Sequence, residues 1–201
     1  MNIGIYIYDQ AEVLDFSGPF EVFSVANRLA KLDWNIWLVG ANQDLVEARG
    51  AFRVMPHYSI QNVPALDLLI VVGGVHLEEV RKREVIDWIR ETAEKVQVIA
   101  SICTGAFLLA EAGLLDGLEV TTHWEDISDL QRNYPNVQVR EGVRWIEQGK
   151  LFTAAGISAG IDLSLELVSK FAGEELAERT AQQMEYLGVG LEPKQLVDLY
   201  F

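Results

Sequence analysis

Cys103 is the chain's single cysteine, and it stands in Val98-Ile-Ala-Ser-Ile-Cys-Thr-Gly-Ala106, at the end of an apolar run and ahead of a helix-forming segment. A side chain at a sharp strand-to-helix turn is presented above the sheet edge, as in a nucleophile elbow, although Gly-x-Ser-x-Gly itself is absent. Small Ser101 and Gly105 suit so crowded a turn. The unpaired backbone N–H groups opening the helix predicted over residues 104–112 should favour a thiolate, bringing its pKa below the ~8.5 of free cysteine, and hold a developing anion. The other reading is a small, buried core residue, common among free cysteines. Position at the end of the run favours reactivity. A lone cysteine excludes an internal disulfide and any multi-cysteine metal site.

Asp15, in Val13-Leu-Asp-Phe-Ser-Gly-Pro19, is an acid among apolar neighbours. If the segment 9–18 bends over the sheet edge, its carboxyl group stands beside Cys103, rises in pKa through desolvation and thiolate repulsion, and donates a proton. A plain helix-start role is equally open, capping or charging the N-terminus of a helix predicted over about residues 18–31. Gly73-Gly74 offers backbone donors in a close-approach turn, or simply a turn. Of the three histidines, His76 follows that turn and is the best-placed base for a Cys-His pair. His123, in Thr121-Thr-His-Trp124, reads as a packed structural residue, and His57 carries no chemical case. There is no His-Glu-x-x-His pattern and no Gly-rich phosphate loop, so no metal and no cofactor are expected. Trp88, Phe171 and Tyr186 read as core.

These segments need a scaffold that brings them to one edge. Residues 2–8, Asn-Ile-Gly-Ile-Tyr-Ile-Tyr, form a β-prone apolar run suited to a strand buried on both faces. Strands over 34–39, 66–72 and 96–102 alternate with helices over 18–31, 84–95 and 104–112, which predicts an α/β fold with a mostly parallel sheet covered on both sides. Residues 46–60 read as an excursion or hairpin, and short strands around Glu141-Gly142 and Gln148-Gly149 as small antiparallel additions. Helices over 158–171 and 174–186 follow, then a polar tail containing Pro193. In such a sheet ligands bind beyond the carboxyl ends of the strands, where segments 9–18, 73–76 and 103–106 should meet.

With 201 residues, half of them hydrophobic, the chain suits a single domain over 1–201. A formal net charge of −14 opposes docking on nucleic acid or an anionic membrane. No apolar run approaches the ~20 residues that span a bilayer. The N-terminus reads as a strand with no leader pattern, so a cytoplasmic protein is expected.

Across residues 3–186 the chain resembles the ThiJ/PfpI superfamily, which is glutamine amidotransferase-like, and within it the isonitrile hydratase (isocyanide hydratase) branch. The likeness rests on Leu14-Asp-Phe-Ser-Gly-Pro19, Val72-Gly-Gly74, Ser101-Ile-Cys-Thr-Gly105, Ala112-Gly-Leu-Leu-Asp-Gly117, Thr121-Thr-His-Trp124 and Gly156-Ile-Ser-Ala-Gly-Ile-Asp162. It implies a flavodoxin-like three-layer sandwich, a nucleophile at Cys103 and an accompanying acid at Asp15. It also implies that the N–H groups of Gly74 and Thr104 line the site, that Ile157 and Ser158 approach it, and that the protein is a homodimer. Thr104 stands where peptidase-like members carry a histidine, which argues against peptidase activity. Val75-His-Leu-Glu78 replaces the Gly-containing loop of the hydratases. The activity implied is hydration of a small-molecule isonitrile to an N-substituted formamide. Sensor domains of AraC-type regulators share the motifs and make ligand or redox sensing the second reading. The end at Phe201 leaves no room for the helix-turn-helix domain, so a partner would have to supply the output. Glyoxalase-like or deglycase-like chemistry on α-oxoaldehydes is the third, with His76 as its base.

Overall fold

Ile3, Ile5, Tyr6 and Ile7 have no exposed surface, as expected of a strand covered on both faces. The first three belong to β1 (Asn2–Tyr6), and Ile7 follows it; β1 lies inside a seven-stranded sheet ordered β10-β11-β7-β6-β1-β2-β5. The computed structural model describes residues 1–188. Pro193 and the rest of the polar tail lie outside the described residues. After β1 come α1 (Val13–Ala30), β2 (Asn35–Gly40), the hairpin of β3 (Val46–Ala48) and β4 (Phe52–Val54), β5 (Tyr58–Ser59) and β6 (Leu68–Val71). They are followed by α2 (Arg83–Lys95), β7 (Val98–Ile102), α3 (Gly105–Glu111), β8 (Glu119–Val120), α4 (Ile127–Asn133) and β9 (Gln138–Val139). β10 (Trp145–Gln148), β11 (Leu151–Ala154), α5 (Ala159–Ala172) and α6 (Glu174–Gln183) complete the described chain.

Every pairing in the large sheet is parallel except β10 with β11. Helix α1 packs with α5 and α6, and α2 packs with α3. The chain runs from β1 to β2 on one side and returns to β6 on the other, so the loops after β1 and β6 diverge. That is the switch point at which doubly wound sheets bind ligands. Among the described residues no helix is long and apolar enough to cross a membrane.

The sequence places the α/β alternation correctly and misjudges three local features. α1 begins at Val13, not near Gly18, so Asp15 lies in its first turn and the loop after β1 is shorter than expected. Ser17-Gly18-Pro19 looks like a helix start, but Pro19 lies inside α1, where a proline costs a helical N–H and still fits when the flanking turns are packed. Gly18 lets α5 approach: a Cβ there would stand 3.0 Å from Ile161 Cγ1. The strand at residues 138–139 pairs with β8 in parallel, so the antiparallel additions are the β3–β4 hairpin and the edge strand β10. Trp88 and Phe171 are only partly buried against the core, and Tyr186 is a hydrogen-bonding residue whose Oη donates to Asp162 Oδ1 at 2.7 Å.

Gly105 opens α3 directly against the backbone of β6, and a Cβ there would overlap the Val71 carbonyl oxygen. Neither partner is the flexible end of a side chain, so the helix would have to move. Gly105→Ala should therefore destabilise the fold by about 3 kcal/mol, read as a lowered urea midpoint with an unchanged slope.

Candidate functional site

Cys103 follows β7, and its φ of 54° puts it in the left-handed region, where a non-glycine residue costs roughly 1 kcal/mol. Neighbours hold it there: its N–H donates to the carbonyls of Ala154 and Ala155, each at 3.1 Å, and its carbonyl accepts from Thr122 Oγ1 at 2.8 Å. The turn directs the thiol away from the strand axis toward the loops after β1, β6 and β11. Ile157, after β11, is a second outlier, with φ 40°. A β-branched residue rarely adopts that conformation unless its surroundings demand it.

Three segments converge on one glycine. The Gly73 N–H donates to Asp15 Oδ2 at 2.9 Å, a buried hydrogen bond between chain segments far apart in sequence. A Cβ on Gly73 would stand 2.6 Å from Thr104 N, 2.7 Å from Cys103 Cβ and 2.9 Å from Asp15 Oδ2. The missing side chain is what lets acid and thiol share a wall. The loops are laced together by Glu12 N–H to Gly73 O at 2.9 Å, Val75 N–H to Gln10 O at 3.1 Å, and a bridge between Ala11 and Gly74. Asp15 thus lies at a helix start, as its second reading had it, yet its side chain reaches across to Gly73 and caps nothing.

Burial governs the electrostatics. Asp15 has no exposed surface, and desolvation pushes its pKa up to about 8 against the opposing pull of the Gly73 N–H. Its carboxyl group is therefore largely protonated at neutral pH. The sequence-based expectation of a low-pKa thiol does not hold. Burial first, and then the Asp15 charge, push Cys103 up to about 12, although the backbone N–H groups of Thr104 and Ile157 bond the sulfur and pull the other way. The helix start does supply donors. They are outweighed because the thiol is 6% exposed and the other charged neighbour, Asp126, is also acidic.

The remaining expected residues fall into two groups. Thr104 and Ile157 face the sulfur through their N–H groups. Gly74 does not offer its N–H to the site: that group donates to Thr104 Oγ1 at 2.9 Å, while the Thr104 hydroxyl donates to the Gly74 carbonyl at 2.9 Å. Thr104 therefore fastens the glycine turn to the elbow. Ser158 is not among the groups acting on the thiol; its Oγ accepts from Arg144 at 3.2 Å. Arg144 also bonds Asp162 Oδ2 from Nε at 2.7 Å, and Asp162 in turn accepts from Tyr186. That clamp holds the start of α5, and with it Ile157. His76 is buried and stacks on Phe107 with ring centroids 4.2 Å apart. Burial lowers its pKa, a hydrogen bond to Gly74 opposes this, and it is not among the groups acting on the thiol. His123 packs its ring against Gly156 and faces Asp126 at 3.4 Å, in keeping with a structural role. His57 accepts the Leu38 N–H at 3.0 Å. Among the described residues no cluster of His, Cys, Asp and Glu is placed to hold a metal ion.

A buried thiol on a strained strand-to-helix turn, paired with a protonated carboxyl group at the switch point of a parallel sheet, defines a flavodoxin-like α/β protein with a cysteine-acid site. The chain belongs to the DJ-1/PfpI family, whose model matches residues 1–170. It is 33% identical over 188 residues to the isonitrile hydratase of Pseudomonas putida, spanning 92% of this chain and 78% of that protein. It is 28% identical to the HTH-type transcriptional regulator GbdR of Pseudomonas aeruginosa, over 92% of this chain and half of the regulator's length. The crystal structure of a ThiJ/PfpI family protein from Pseudomonas syringae superposes with a TM-score of 0.83 at 22% identity, covering 98% of this chain and 84% of that one.

Sequence reasoning passed over Tyr8, Asp126 and Arg144. Arg144 is one of two arginines between β9 and β10, and its residue type did not set it apart from Arg140. Tyr8 closed the apolar run over residues 2–8, and no pattern in the sequence marked Asp126.

The two ionisations make a coupled pair whose first proton leaves near pH 8, mostly from Asp15, and whose second leaves near 12. Below the first step the thiolate share rises with pH, and between the two steps it stays constant. Alkylation of Cys103 by iodoacetamide, followed by intact-protein mass, should climb about tenfold per pH unit and level off near 8. In Asp15→Asn the shoulder should vanish and the climb continue beyond it. A shoulder retained in that variant would assign it to another group.

Proposed function

We propose that the protein hydrates isonitriles to N-substituted formamides, with Cys103 as nucleophile and Asp15 as the proton carrier. The observation that carries this reading is the convergence of Asp15 and Cys103 on Gly73, with an acid protonated at neutral pH and no histidine acting on the thiol. Such a pair delivers a thiolate and a proton together, which is what an isonitrile carbon needs. The steric argument agrees. A thiol 6% exposed admits a slim, linear, uncharged head group more readily than a peptide.

The first step forms the S–C bond: Asp15 gives its proton to the isonitrile carbon and takes the thiol proton in its place, giving a thioimidate beside a carboxyl group that is still protonated. The Thr104 and Ile157 N–H groups hold the sulfur as its charge changes. Asp15 then protonates the thioimidate nitrogen and, as a carboxylate, takes a proton from water as the water oxygen adds to the same carbon. The C–S bond then breaks as the C=O bond forms, Asp15 giving its proton to sulfur and taking the one left on the added oxygen. The sum is isonitrile plus water to formamide, with the thiol and the acid regenerated.

Formamide release from an aryl isonitrile should disappear in Cys103→Ala and fall about 100-fold or more in Asp15→Asn. Absence of turnover by the wild type across alkyl and aryl isonitriles would sink this reading. The likeness to GbdR supports a second one, in which the same pocket binds or senses a small molecule for a regulatory partner. It predicts tight ligand binding without consumption. Glyoxalase-like chemistry has less support, since His76, the base it requires, rests on Phe107.

The homodimer expected from the family likeness belongs to this reading. Leu14 and Phe52 are 37% and 49% exposed and line an apolar groove of about 510 Å³ with Phe16, Phe20 and Val54, a patch that favours burial against another surface. Light scattering should give twice the chain mass at micromolar concentration, and a monomer there would remove the dimer.

A further inference from the structure

Tyr8 is a buried polar group for which the reaction above has no use. It is 3% exposed, and its hydroxyl makes no hydrogen bond of normal geometry, the Thr104 hydroxyl lying close by without closing one. Its neighbour on the same face, Tyr6, provides the contrast: the rings stack at 6.2 Å, and Tyr6 Oη donates to Glu79 Oε1 at 2.5 Å, with Lys82 Nζ 2.8 Å from the other carboxylate oxygen. One phenol is fully satisfied and the other is left over. Tyr8 sits where β1 gives way to the loop that carries Asp15, its carbonyl accepting from the Ala11 N–H at 3.0 Å. Its ring environment is the site itself, since the charges of Asp15 and Cys103 and the hydroxyl of Thr104 all act on the phenol, together with Glu79. Asp15 Oδ1 is likewise unpartnered, as is Ser101 Oγ on β7.

Buried polar oxygens without partners are uncommon and call for an explanation. Two of them flanking one reactive thiol point to a ligand atom that bonds both. Resting on the hydration reading, we propose that Tyr8 Oη and Asp15 Oδ1 are the two polar points of an oxygen site beside Cys103. It receives the oxygen on the carbon bonded to sulfur, and Tyr8 is a further catalytic residue of the water-addition step. The phenol donates to the oxygen that water brings to the thioimidate carbon, while Asp15 takes that water's proton. The substrate class follows: carbon electrophiles that carry or acquire an oxygen at the carbon attacked by Cys103.

Tyr8→Phe tests this with two probes. With an aryl isonitrile, the variant should release formamide about tenfold more slowly and accumulate a Cys103 adduct, seen by intact-protein mass, that remains transient in the wild type. With acetaldehyde no turnover is needed. The thiol adds across the C=O bond, S bonding to carbon and the proton going to oxygen, and the hemithioacetal carries an oxygen at the same position. Acetaldehyde should protect Cys103 from iodoacetamide at about tenfold lower concentration in the wild type than in the variant. The urea midpoint of Tyr8→Phe without ligand should equal or exceed that of the wild type, because the hydroxyl has no partner to lose. Equal protection in both proteins, or no protection of the wild type, overturns the proposal. So does a lowered midpoint, which would show that the hydroxyl is already bonded. Should the wild type turn over no isonitrile, the hydratase reading falls by itself and the acetaldehyde comparison still decides the role of Tyr8.

Discussion

The hydrogen bond from the Gly73 N–H to the Asp15 carboxyl group, made across a face with no side chain, is the constraint on which the rest of the site depends. It fixes the acid against the end of β6 and leaves room for the elbow after β7 on the same face. Any Cβ at residue 73 would push Asp15, Cys103 and the Thr104 backbone apart. Thr104, through its bonds to both polar groups of Gly74, keeps the turn from sliding. The positions of the acid, the turn and the thiol are thus one geometric fact.

The electrostatic character follows from that packing. In a chain of net charge −14, no cation acts on the Cys103 thiol among the described residues, and the charges that do are Asp15 and Asp126. A resting thiolate is disfavoured, and so is a resting carboxylate. The pair is stable as two neutral acids and becomes reactive only when one proton is shared or lost. Sites with a Cys-His ion pair store their nucleophile in advance. On the proposed reading this one would create it only as substrate arrives, which would link bond formation to proton delivery.

Two strained residues show how the scaffold sustains this. Cys103 and Ile157 both hold positive φ, and each is pinned by partners outside its own turn: Cys103 by the end of β11 and by Thr122, and the start of α5 by Arg144, Asp162 and Tyr186. The strain places the two N–H groups that bond the sulfur. A fold that turns strained backbone into paired donors serves catalysis and ligand sensing equally well, which fits a family holding both a hydratase and regulators.

The α/β alternation was legible in the sequence because buried parallel strands such as residues 2–6 and 68–71 are continuous apolar runs and α2 carries a clear apolar stripe. Cys103, Asp15 and Gly73 could be singled out from residue type and local context, and Thr104 and Ile157 only through the family resemblance. What residue type could not supply was direction and burial. The sequence suggested a lowered thiol pKa because helix starts favour anions, whereas the fold closes that helix start in apolar packing, and desolvation outweighs two N–H bonds. It left Asp15 between a cap and a proton donor, and only the contact with Gly73, 58 residues away, selects the direction of its side chain. The Gly74 N–H, the ring of His76 and the hydroxyl of Tyr8 were each assigned by neighbours distant in sequence. Local sequence determined which groups this protein carries to the sheet edge. Tertiary packing alone decided which of them are satisfied and which still need a partner, because that depends on contacts no local pattern encodes.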